Sequence, residues 1–380
     1  MKLALVTEFF YPSTGGTQTV VAGLAEALGR RGHEVTVFAP LPSSAPSPAQ
    51  PGRLYETRWI RRHPWNVLGY AAVQAALFAR LRTFDGIHVF HPAFGLGALL
   101  LHASAGPSRG RRASMPSDCR MVATLMGYDT VDYARMRLPK RWISRAVCQW
   151  ADVVTAPSVD LANRGRAAGA KRPIEIVPHG VAVEVPGGAE VAALRRHLGI
   201  TEDVLVCVSI QRHEPVKEPS ALLQAWSRVA RPDRRLILVG GGSLLDSLRR
   251  QMTDSGLSGV VIAGEVPHGA VLTYLALADV FVHHARYESF GMAIVEAMAA
   301  GLPVVAARVG AVPEILTHEK DGLLVPPGDA SALAAAVERL LGDAALRDRL
   351  GAAARLRAAD YDWESIAGRY ERLYERGRRE

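Results

Sequence analysis

"LALVTEFFYPSTGGTQTVVAGLAEALGRRGHEVTVFAP", residues 3–40, decides the fold class of this chain. "LALVTEFF" is a mostly apolar run typical of a buried strand, and "YPSTGGTQT" is a glycine-rich loop. "VVAGLAEALGRRG" has the apolar spacing of a helix with a glycine at its end, and "HEVTVFAP" predicts a second strand. The order strand, helix, strand predicts a βαβ unit, which begins a parallel, doubly wound α/β sheet.

The same alternation continues along the chain and starts again in the second half. Further strands are predicted at "GIHVFHP", "CRMVATLMG", "DVVTAPS" and "IEIVPHG", and then at "DVLVCVSI", "RLILVGG", "GVVIAG", "DVFVHH", "PVVAA" and "GLLVPP". A chain of 380 residues is long enough for two such domains. Two doubly wound domains would form a cleft lined by strand carboxyl ends, where ligands bind.

These patterns predict four segments. Residues 1–180 form an N-terminal Rossmann-like domain, and residues 181–190 form a linker. Residues 191–360 form a second, C-terminal Rossmann-like domain. Residues 361–380 form a C-terminal helix that crosses back to the first domain.

The composition is that of a soluble globular protein, with 49% hydrophobic and 22% charged residues. The three cysteines are scattered and lack a CxxC spacing, which indicates a reducing compartment and disfavours structural zinc. No secretory leader is visible, and the longest apolar run falls short of the roughly 20 residues that span a bilayer. We therefore expect a cytoplasmic protein.

The positive charge of the chain is concentrated in its first half. Residues 1–190 contain 22 Lys and Arg against 13 Asp and Glu, whereas residues 191–380 contain 23 against 24. Such a field favours an acidic ligand or the anionic inner face of a membrane, and a generally basic surface is the alternative. Nucleic acid is disfavoured because no basic stripe with interleaved aromatic residues is present.

Two glutamates stand eight residues apart in "RYESFGMAIVEAMAAG", residues 286–301. The acid and base of a glycoside hydrolase lie roughly 5–10 Å apart. Eight helical steps between Glu288 and Glu296 would rise about 12 Å, which disfavours that pairing. Instead, the backbone N–H groups of Phe290, Gly291 and Met292 would face an anion at a helix N-terminus. Glu296 would accept two sugar hydroxyls, the alternative being an internal Arg or N–H partner.

Two loops of the second half carry residues that suit phosphate. "SIQRHEPVKEPS", residues 209–220, supplies Arg212 and Lys217 after a strand, and a guanidinium with an ammonium suits a diphosphate. "LVGGGSLL", residues 238–245, turns from a strand into a helix through glycines that include Gly241. Either loop, taken alone, is also compatible with ordinary solvated surface.

Together these motifs resemble the retaining family 4 glycosyltransferases, which have the GT-B fold. "ESFGMAIVEAMAAGLPVV" looks like the E-x7-E signature of that family, and Arg212 and Lys217 have its R-x4-K spacing. The resemblance covers nearly the whole chain, from "YPSTGGTQTVVAGLAEALGRRGHEVTV" through "GEVPHGAVLTYLALADVFV" and "VGAVPEILTHEKDGLLVPPGD" to the terminal "YDWESIAGRYERLY". The combination is specific for the superfamily and only weakly specific for the substrate.

The resemblance implies that the N-terminal domain, residues 1–180, binds the acceptor and that the C-terminal domain, residues 191–360, binds the nucleotide-sugar donor. It also implies roles for the matching residues. Arg212 and Lys217 would grip the donor diphosphate and stabilise its departing charge, as fixed cations do. Glu288 would contact the donor sugar, and Glu296 would bind the nucleotide ribose. We predict Arg212, Lys217 and Glu288 as catalytic residues.

Further donor contacts are implied through backbone atoms. Phe290 and Gly291 would lie beside the donor sugar, and Gly15 and Gly16 would lie against the donor phosphates. No cofactor and no divalent metal are expected. "DYD", residues 360–362, matches a metal-binding DxD only in spelling, because it opens a terminal helix, so we interpret it as a cap or linker.

The chain departs from the family pattern at several positions. Met126 stands where a histidine is usual, which leaves donor-sugar preference and catalytic competence open. His91, Asp129 and Met126 are predicted to line the acceptor side, with a core or surface role as the alternative. "HHA", residues 283–285, replaces a common Pro-Ser stretch. Adjacent strand residues face opposite ways, so a metal site at this His-His pair is disfavoured.

The resemblance therefore implies a retaining hexosyltransferase that uses a nucleoside-diphosphate sugar and a hydroxyl acceptor such as a glycan, lipid or small metabolite. A UDP-sugar is favoured as donor and GDP-mannose comes next. The alternatives are a catalytically inactive nucleotide-sugar-binding relative that acts through a partner, and a GT-B sugar-nucleotide epimerase. A nicotinamide oxidoreductase is disfavoured because the first βα turn lacks GxGxxG. Peripheral contact with the inner membrane face through the basic first domain is a further expectation.

Overall fold

The computed structural model describes residues 1–11, 15–41, 53–60, 67–104, 119–127, 138–182 and 186–376. The chain forms two compact units. The first consists of Met1–Gly180 and the segment that begins at Trp363, and the second is Val181–Asp362.

The first unit is built on a parallel sheet with the strand order β3-β2-β1-β4-β5-β6-β7. Its strands are β1 (Lys2–Val6), β2 (Glu34–Pro40), β3 (Tyr55–Ile60), β4 (Gly86–Phe90), β5 (Arg120–Thr124), β6 (Val153–Ala156) and β7 (Ile174–Ile176). Its helices within the described ranges are α1 (Gly16–Arg30), α2 (Val67–Arg80), α3 (Leu96–Ser104), α4 (Leu138–Trp150), α5 (Val159–Ala167) and the C-terminal α14 (Trp363–Glu375). Leu5 pairs with Val37 on one side and with His88 on the other, so the strand order reverses at β1.

The second unit repeats this architecture with the strand order β10-β9-β8-β11-β12-β13, again all parallel. Its strands are β8 (Leu205–Ile210), β9 (Arg234–Val239), β10 (Val260–Gly264), β11 (Val280–His283), β12 (Val304–Ala307) and β13 (Leu323–Val325). Its helices are α6 (Gly188–His197), α7 (Pro219–Trp226), α8 (Leu245–Asp254), α9 (His268–Leu277), α10 (Met292–Ala299), α11 (Val312–Ile315), α12 (Ala330–Gly342) and α13 (Ala344–Ala358). The doubly wound α/β class predicted from the sequence is confirmed in both units.

One strand of the first sheet is not predicted by the sequence patterns. Strand β3 alternates between half-buried and exposed side chains, with Glu56 and Arg58 among its residues. It lies at the edge of the sheet, and β2 is its one partner among the described strands. The buried strands are recognisable from continuous apolar runs, and an edge strand does not need one.

The chain crosses between the units at Gly180–Val181 and at Asp362–Trp363. Val181 N donates to Tyr361 O at 2.9 Å, so the first residue of the predicted linker already belongs to the second unit. The remainder of that linker is shortened by α6, which begins at Gly188. The predicted domain end at residue 360 lies two residues before the observed crossing.

Helix α14 packs against the rest of the first unit at positions where glycine residues leave room for its Trp363 side chain. A Cβ at Gly23 or at Gly180 would lie 2.3 Å from the Trp363 ring, so neither position tolerates a side chain beside this indole. Further along the helix, the Tyr374 hydroxyl lies 2.7 Å from His88 Nδ1 in the buried interior. Histidine 88 is thereby part of the core. Within the described ranges, none of the helices is long and apolar enough to cross a membrane.

Candidate functional site

The predicted donor residues gather where the second sheet reverses its strand order. Strands β8 and β11 are neighbours although β9 and β10 separate them in sequence, and such a switch point leaves a crevice at the carboxyl ends of the strands. The loop after β8 contains Arg212 and Lys217, and the loop after β11 contains Glu288. The topology therefore brings residues 71 positions apart to the same edge.

Glu288 is the centre of this cluster. Its Oε2 accepts a hydrogen bond from Lys217 Nζ at 2.6 Å and lies 3.1 Å from His283 Nε2. Burial acts to raise the pKa of Glu288, but the Lys217 ammonium and the His283 hydrogen bond outweigh it and hold the pKa well below its usual range. The carboxylate is therefore ionised throughout the physiological pH range.

His283 is the neutral partner in this cluster. Burial lowers the pKa of the ring, although the nearby Glu288 acts in the opposite direction. Because an ionised carboxylate only accepts hydrogen bonds, Nε2 carries the ring proton and Nδ1 the lone pair. That Nδ1 is buried, and it has no hydrogen-bond partner among the described residues. Sequence reasoning considered His283 only as a metal ligand and missed its contact with Glu288.

The neighbouring His284 faces a different carboxylate. Its Nδ1 lies 3.6 Å from Glu218 Oε2, and Glu218 also accepts a hydrogen bond from Arg286 Nε. In the part of the chain that the structure describes, no three His, Cys, Asp or Glu side chains come together as a metal site would require. His283 therefore contacts Glu288, and His284 lies beside Glu218. The side chains of successive strand residues point in opposite directions, which agrees with this separation.

Helix α10 begins directly behind Glu288. Gly291 caps its N-terminus in the left-handed region, with φ 99°, which favours glycine. A Cβ at this position would lie 3.1 Å from Ile294 Cδ1 and 3.3 Å from Glu288 Cγ. Phe290 is buried and packs edge-on against Tyr361, with ring centroids 5.8 Å apart. Ile294 N donates to Gly291 O at 2.9 Å, and the N–H groups before it in the first turn lie at the positive end of the helix dipole.

Glu296 lies within α10 in a very different environment. Its side chain is buried, and in the described part of the chain no donor contacts its carboxyl group. Burial raises the pKa of Glu296 to about 7. The internal Arg or N–H partner considered as an alternative is thus not found there. This carboxyl group is close to half-ionised at neutral pH, which is costly without a hydrogen-bonding ligand.

Arg212 is the most exposed member of the predicted set. Its side chain is 69% exposed, and Nη2 lies 3.2 Å from Glu214 Oε1. Glu214 Oε2 in turn accepts from the Ser243 hydroxyl at 2.6 Å. The carboxylate of Glu214, which sequence reasoning did not select, therefore fixes the Arg212 loop to the glycine turn after β9.

The glycine turn is tight at the two glycines that flank Gly241. A Cβ at Gly240 would lie 2.0 Å from Gln211 O, and a Cβ at Gly242 would lie 2.4 Å from His213 O. The predicted Gly241 is less constrained, with Glu265 Oε2 at 3.0 Å. The turn after β9 therefore needs glycine, because its backbone lies directly against the backbone of the loop after β8.

The candidates in the first unit lie at the carboxyl ends of its own central strands. Gly15, with φ 154°, caps α1, which starts at Gly16 after β1. His91 follows β4 in the left-handed region with φ 65°, and burial lowers its pKa to about 4. Met126 follows β5 and is half-buried. Asp129 lies outside the described residues.

Comparison with protein families matches both halves of the chain. The family described as Glycosyltransferase Family 4 matches residues 14–185, and the family described as Glycosyl transferases group 1 matches residues 190–357. The boundary between the matches lies within a few residues of the crossing between the two units.

Two curated relatives illustrate the range of similar proteins. A GDP-mannose-dependent alpha-(1-6)-phosphatidylinositol monomannoside mannosyltransferase of Mycolicibacterium smegmatis is 31% identical, over 100% of this chain and 99% of the relative. N-acetyl-alpha-D-glucosaminyl L-malate synthase of Bacillus anthracis is 26% identical, over 96% of this chain and 94% of the relative.

Solved structures share the fold at lower identity. Anabaena HepE, crystallised in complex with UDP and glucose, superposes with a TM-score of 0.81 at 21% identity, over 98% of this chain and 99% of its own. Sucrose-phosphate synthase of Thermosynechococcus elongatus superposes with a TM-score of 0.82 at 24% identity, over 98% of each chain. With the sequence matches, these establish that the chain is a glycosyltransferase of family 4 with the GT-B fold.

Proposed function

We propose that this glycosyltransferase moves a hexose from a nucleoside-diphosphate sugar to an acceptor hydroxyl with retention of configuration. The observation that carries the proposal is the contrast at the switch point of the second sheet. There, an ionised Glu288 held by Lys217 and His283 lies before α10, and a buried Glu296, without a donor among the described residues, lies inside that helix. Such a pair suits a ligand that carries a hydroxyl-bearing sugar on each side of a diphosphate.

The diphosphate of the donor would bind the cations and the helix end. Lys217 is one-fifth exposed at its side chain and Arg212 is mostly exposed, so both are accessible to a ligand. When the glycosidic bond breaks, negative charge builds up on the departing diphosphate. The two cations and the first-turn N–H groups of α10 would stabilise that charge more strongly than the charge of the intact donor.

The two glutamates would take the hydroxyls of the donor. Glu288 is ionised and would accept hydroxyl hydrogen bonds from the transferred sugar. Glu296 would accept the two ribose hydroxyls, which would stabilise its carboxylate form and lower its pKa. Ligand binding would thus supply the donors that this buried carboxyl group lacks.

Retention would follow from displacement on a single face of the sugar. Glu288 Oε2 already accepts two hydrogen bonds, which suits a carboxylate that orients hydroxyls better than one that attacks carbon. The bond from the anomeric carbon to the phosphate oxygen would break while the acceptor oxygen bonds to that carbon from the same face. The acceptor proton would pass to the departing phosphate oxygen, so no protein base would be needed for this step. Arg212 and Lys217 would supply the positive charge that a divalent metal would otherwise provide.

The relatives guide the choice of donor and acceptor. The Mycolicibacterium relative is named for GDP-mannose and for a phosphatidylinositol monomannoside, and we rank these first. UDP-sugars come second as donors, and small acids such as L-malate come second as acceptors, as in the name of the Bacillus relative. Acceptor binding is assigned to the first unit, with His91 and Met126 as its candidate contacts.

A donor screen by thermal shift, followed by transfer assays, tests this proposal. GDP-mannose and a panel of UDP-sugars are each titrated against the protein in the presence of EDTA. GDP-mannose should give the largest rise in Tm. Glu296→Gln should weaken its binding by about 10- to 100-fold at pH 8, because a charge-assisted hydrogen-bond acceptor is lost. Arg212→Gln should weaken it similarly, whereas Arg250→Gln, on the exposed part of α8, should leave it unchanged.

The configuration of the product separates the remaining possibilities. An α-linked product from the α-linked donor supports retention, and a β-linked product would refute it. Donor binding without transfer to any acceptor and without hydrolysis would favour the inactive relative, for which Met126 in place of the family histidine is the motivating observation. Release of an isomerised nucleotide sugar would instead identify an epimerase.

A further inference from the structure

Helix α4, in the first unit, exposes an unusual number of large apolar side chains. Trp142 is 74% exposed, Leu138 66% and Trp150 55%. Trp is a residue that usually buries most of its surface, and two highly exposed Trp side chains on one helix are not explained by the fold. The opposite side of the helix, with Ser144, Val147 and Cys148, is buried in the unit.

The exposed side chains form a continuous face. Leu138, Trp142, Arg145 and Gln149 are spaced by three or four residues, so they follow one line along the helix. Trp150 lies to one side of this line, about 80° around the helix from Trp142. We call Leu138, Trp142, Arg145, Gln149 and Trp150 the α4 face.

The charged residues of helix α4 itself have a single sign. The helix contains Lys140, Arg141 and Arg145 and no acidic residue. Lys140 points to the interior edge, where Nζ donates to Glu8 at 2.9 Å, and Arg141 is half-buried, so the exposed charge of the helix is mainly that of Arg145.

A neighbouring turn extends the basic surface. Arg172 Nε donates to Gln149 O at 2.8 Å, and a Cβ at Gly169 would lie 2.9 Å from Arg145 Nε, so the turn of residues 168–173 lies against the helix. This turn adds the exposed Lys171 and Arg172. The acidic residues that flank it in sequence, Asp160 and Glu175, are paired with Arg164 and Arg376.

We infer that the α4 face docks on an anionic lipid bilayer, with Trp142 and Trp150 seated at the level of the head groups. Indole side chains prefer the boundary between head groups and acyl chains, and each Lys or Arg near an anionic surface adds roughly 1 kcal/mol of attraction. An apolar ridge inside a basic surface matches a bilayer more closely than a protein partner, since the core of a protein interface is depleted of charge. This inference does not depend on the identity of the donor or acceptor.

Vesicle sedimentation of the whole chain tests it. Vesicles of equimolar phosphatidylcholine and phosphatidylglycerol are compared with vesicles of phosphatidylcholine alone. Binding should be strong to the anionic vesicles at about 50 mM salt and should fall at least tenfold at about 500 mM, because the Debye length shortens. Bromine-labelled lipids should quench part of the Trp fluorescence. No sedimentation with anionic vesicles at low salt would overturn the inference.

Matched variants locate the contact. Trp142→Gln/Trp150→Gln should reduce the lipid partition coefficient at least tenfold and abolish most of the quenching. Arg145→Gln/Lys171→Gln should reduce it about tenfold at low salt. Leu356→Gln, at an equally exposed apolar position on α13, and Arg250→Gln should have no effect, and all variants should retain the parental Tm.

A protein occupant would give a different result. If sedimentation velocity without lipid shows self-association that the Trp142→Gln/Trp150→Gln variant loses, the α4 face is a contact between copies of the chain. Unchanged vesicle binding in that variant would place any lipid contact elsewhere. Either result overturns the inference, whatever the outcome of the donor screen.

Discussion

Glu288 and Glu296 are eight residues apart and both buried, yet their surroundings are opposite. Glu288 is held by an ammonium and an imidazole, and its pKa is depressed despite its burial. Glu296 lacks such donors in the described residues, and its pKa is raised to about 7 by burial. A carboxylate satisfied by the protein is preorganised, whereas an unsatisfied one depends on a ligand. Glu288 therefore belongs to the part of the candidate site that is in place before the donor binds. Glu296 belongs to the part that needs the donor to complete its hydrogen bonds.

Removing the ammonium from Glu288 should have the largest effect. Lys217→Met deprives the buried carboxylate of its cation and the departing diphosphate of a charge, so kcat should fall about 1,000-fold. The free energy of unfolding should also fall by about 3 kcal/mol, because a buried charge loses its partner. Steady-state kinetics and urea unfolding measure the two effects. Lys320→Met, at another lysine of the same unit, is the matched control, and wild-type kcat in Lys217→Met would remove Lys217 from the mechanism.

Removing the charge from Glu296 should instead stabilise the free protein. Its folded-state pKa of about 7 exceeds the unfolded value near 4.5, so ionisation opposes folding as the pH rises through this range. Glu296→Gln should therefore raise the free energy of unfolding by roughly 2–4 kcal/mol at pH 8 and leave it nearly unchanged at pH 4. Urea unfolding at the two pH values, without nucleotide, measures this. Equal effects at both pH values would contradict the raised pKa.

The affinity for the nucleotide should also depend on the ionisation of Glu296, with a smaller effect. If ribose binds the carboxylate form of Glu296, the affinity for GDP should decrease up to tenfold per pH unit as the pH falls below about 7. Calorimetric titration of the wild type and of Glu296→Gln between pH 6 and 8 separates this from titration of the phosphate, since only the wild type should show the additional slope. Parallel profiles would exclude Glu296 from the ribose contact.

The smallest effect is expected at Glu218, which adjoins the cluster without belonging to it. Glu218 adopts the left-handed region with φ 41°, where glycine is usual, and contacts Arg286 and His284. Glu218→Gly should relieve backbone strain and lose these contacts, so the net change in unfolding free energy should stay within about 1 kcal/mol. Glu319→Gly, at φ 66° with its own partner Arg339, is the control. A kcat loss above tenfold in Glu218→Gly alone would give Glu218 a role in the reaction.

The fold was predictable wherever a strand is buried on both faces, because such strands require continuous apolar runs. Strand β3 was missed because an edge strand of alternating character lacks that run. At the candidate site, Arg212, Lys217, Glu288 and Glu296 are singled out by the resemblance of their motifs to those of the family. The contacts of His283 and Glu214 do not, because each depends on which loops the topology brings to the same edge. A linear pattern specifies residue types at fixed separations, and it does not specify hydrogen-bond partners across a sheet.

Because the chain crosses between the units twice, the first unit consists of two separate chain segments, which affects the order in which the units can fold during synthesis. Residues 181–362, which form the second unit, are contiguous and leave the ribosome as one uninterrupted piece. The first unit begins earlier but lacks α14, and with it Trp363 against Gly23 and Tyr374 against His88, until residues 363–375 have been synthesised. We therefore expect the earlier-translated sheet to complete its packing later than the second one, with part of its core exposed until α14 is present. A truncated chain that ends at Gly180 would keep that immature state permanently.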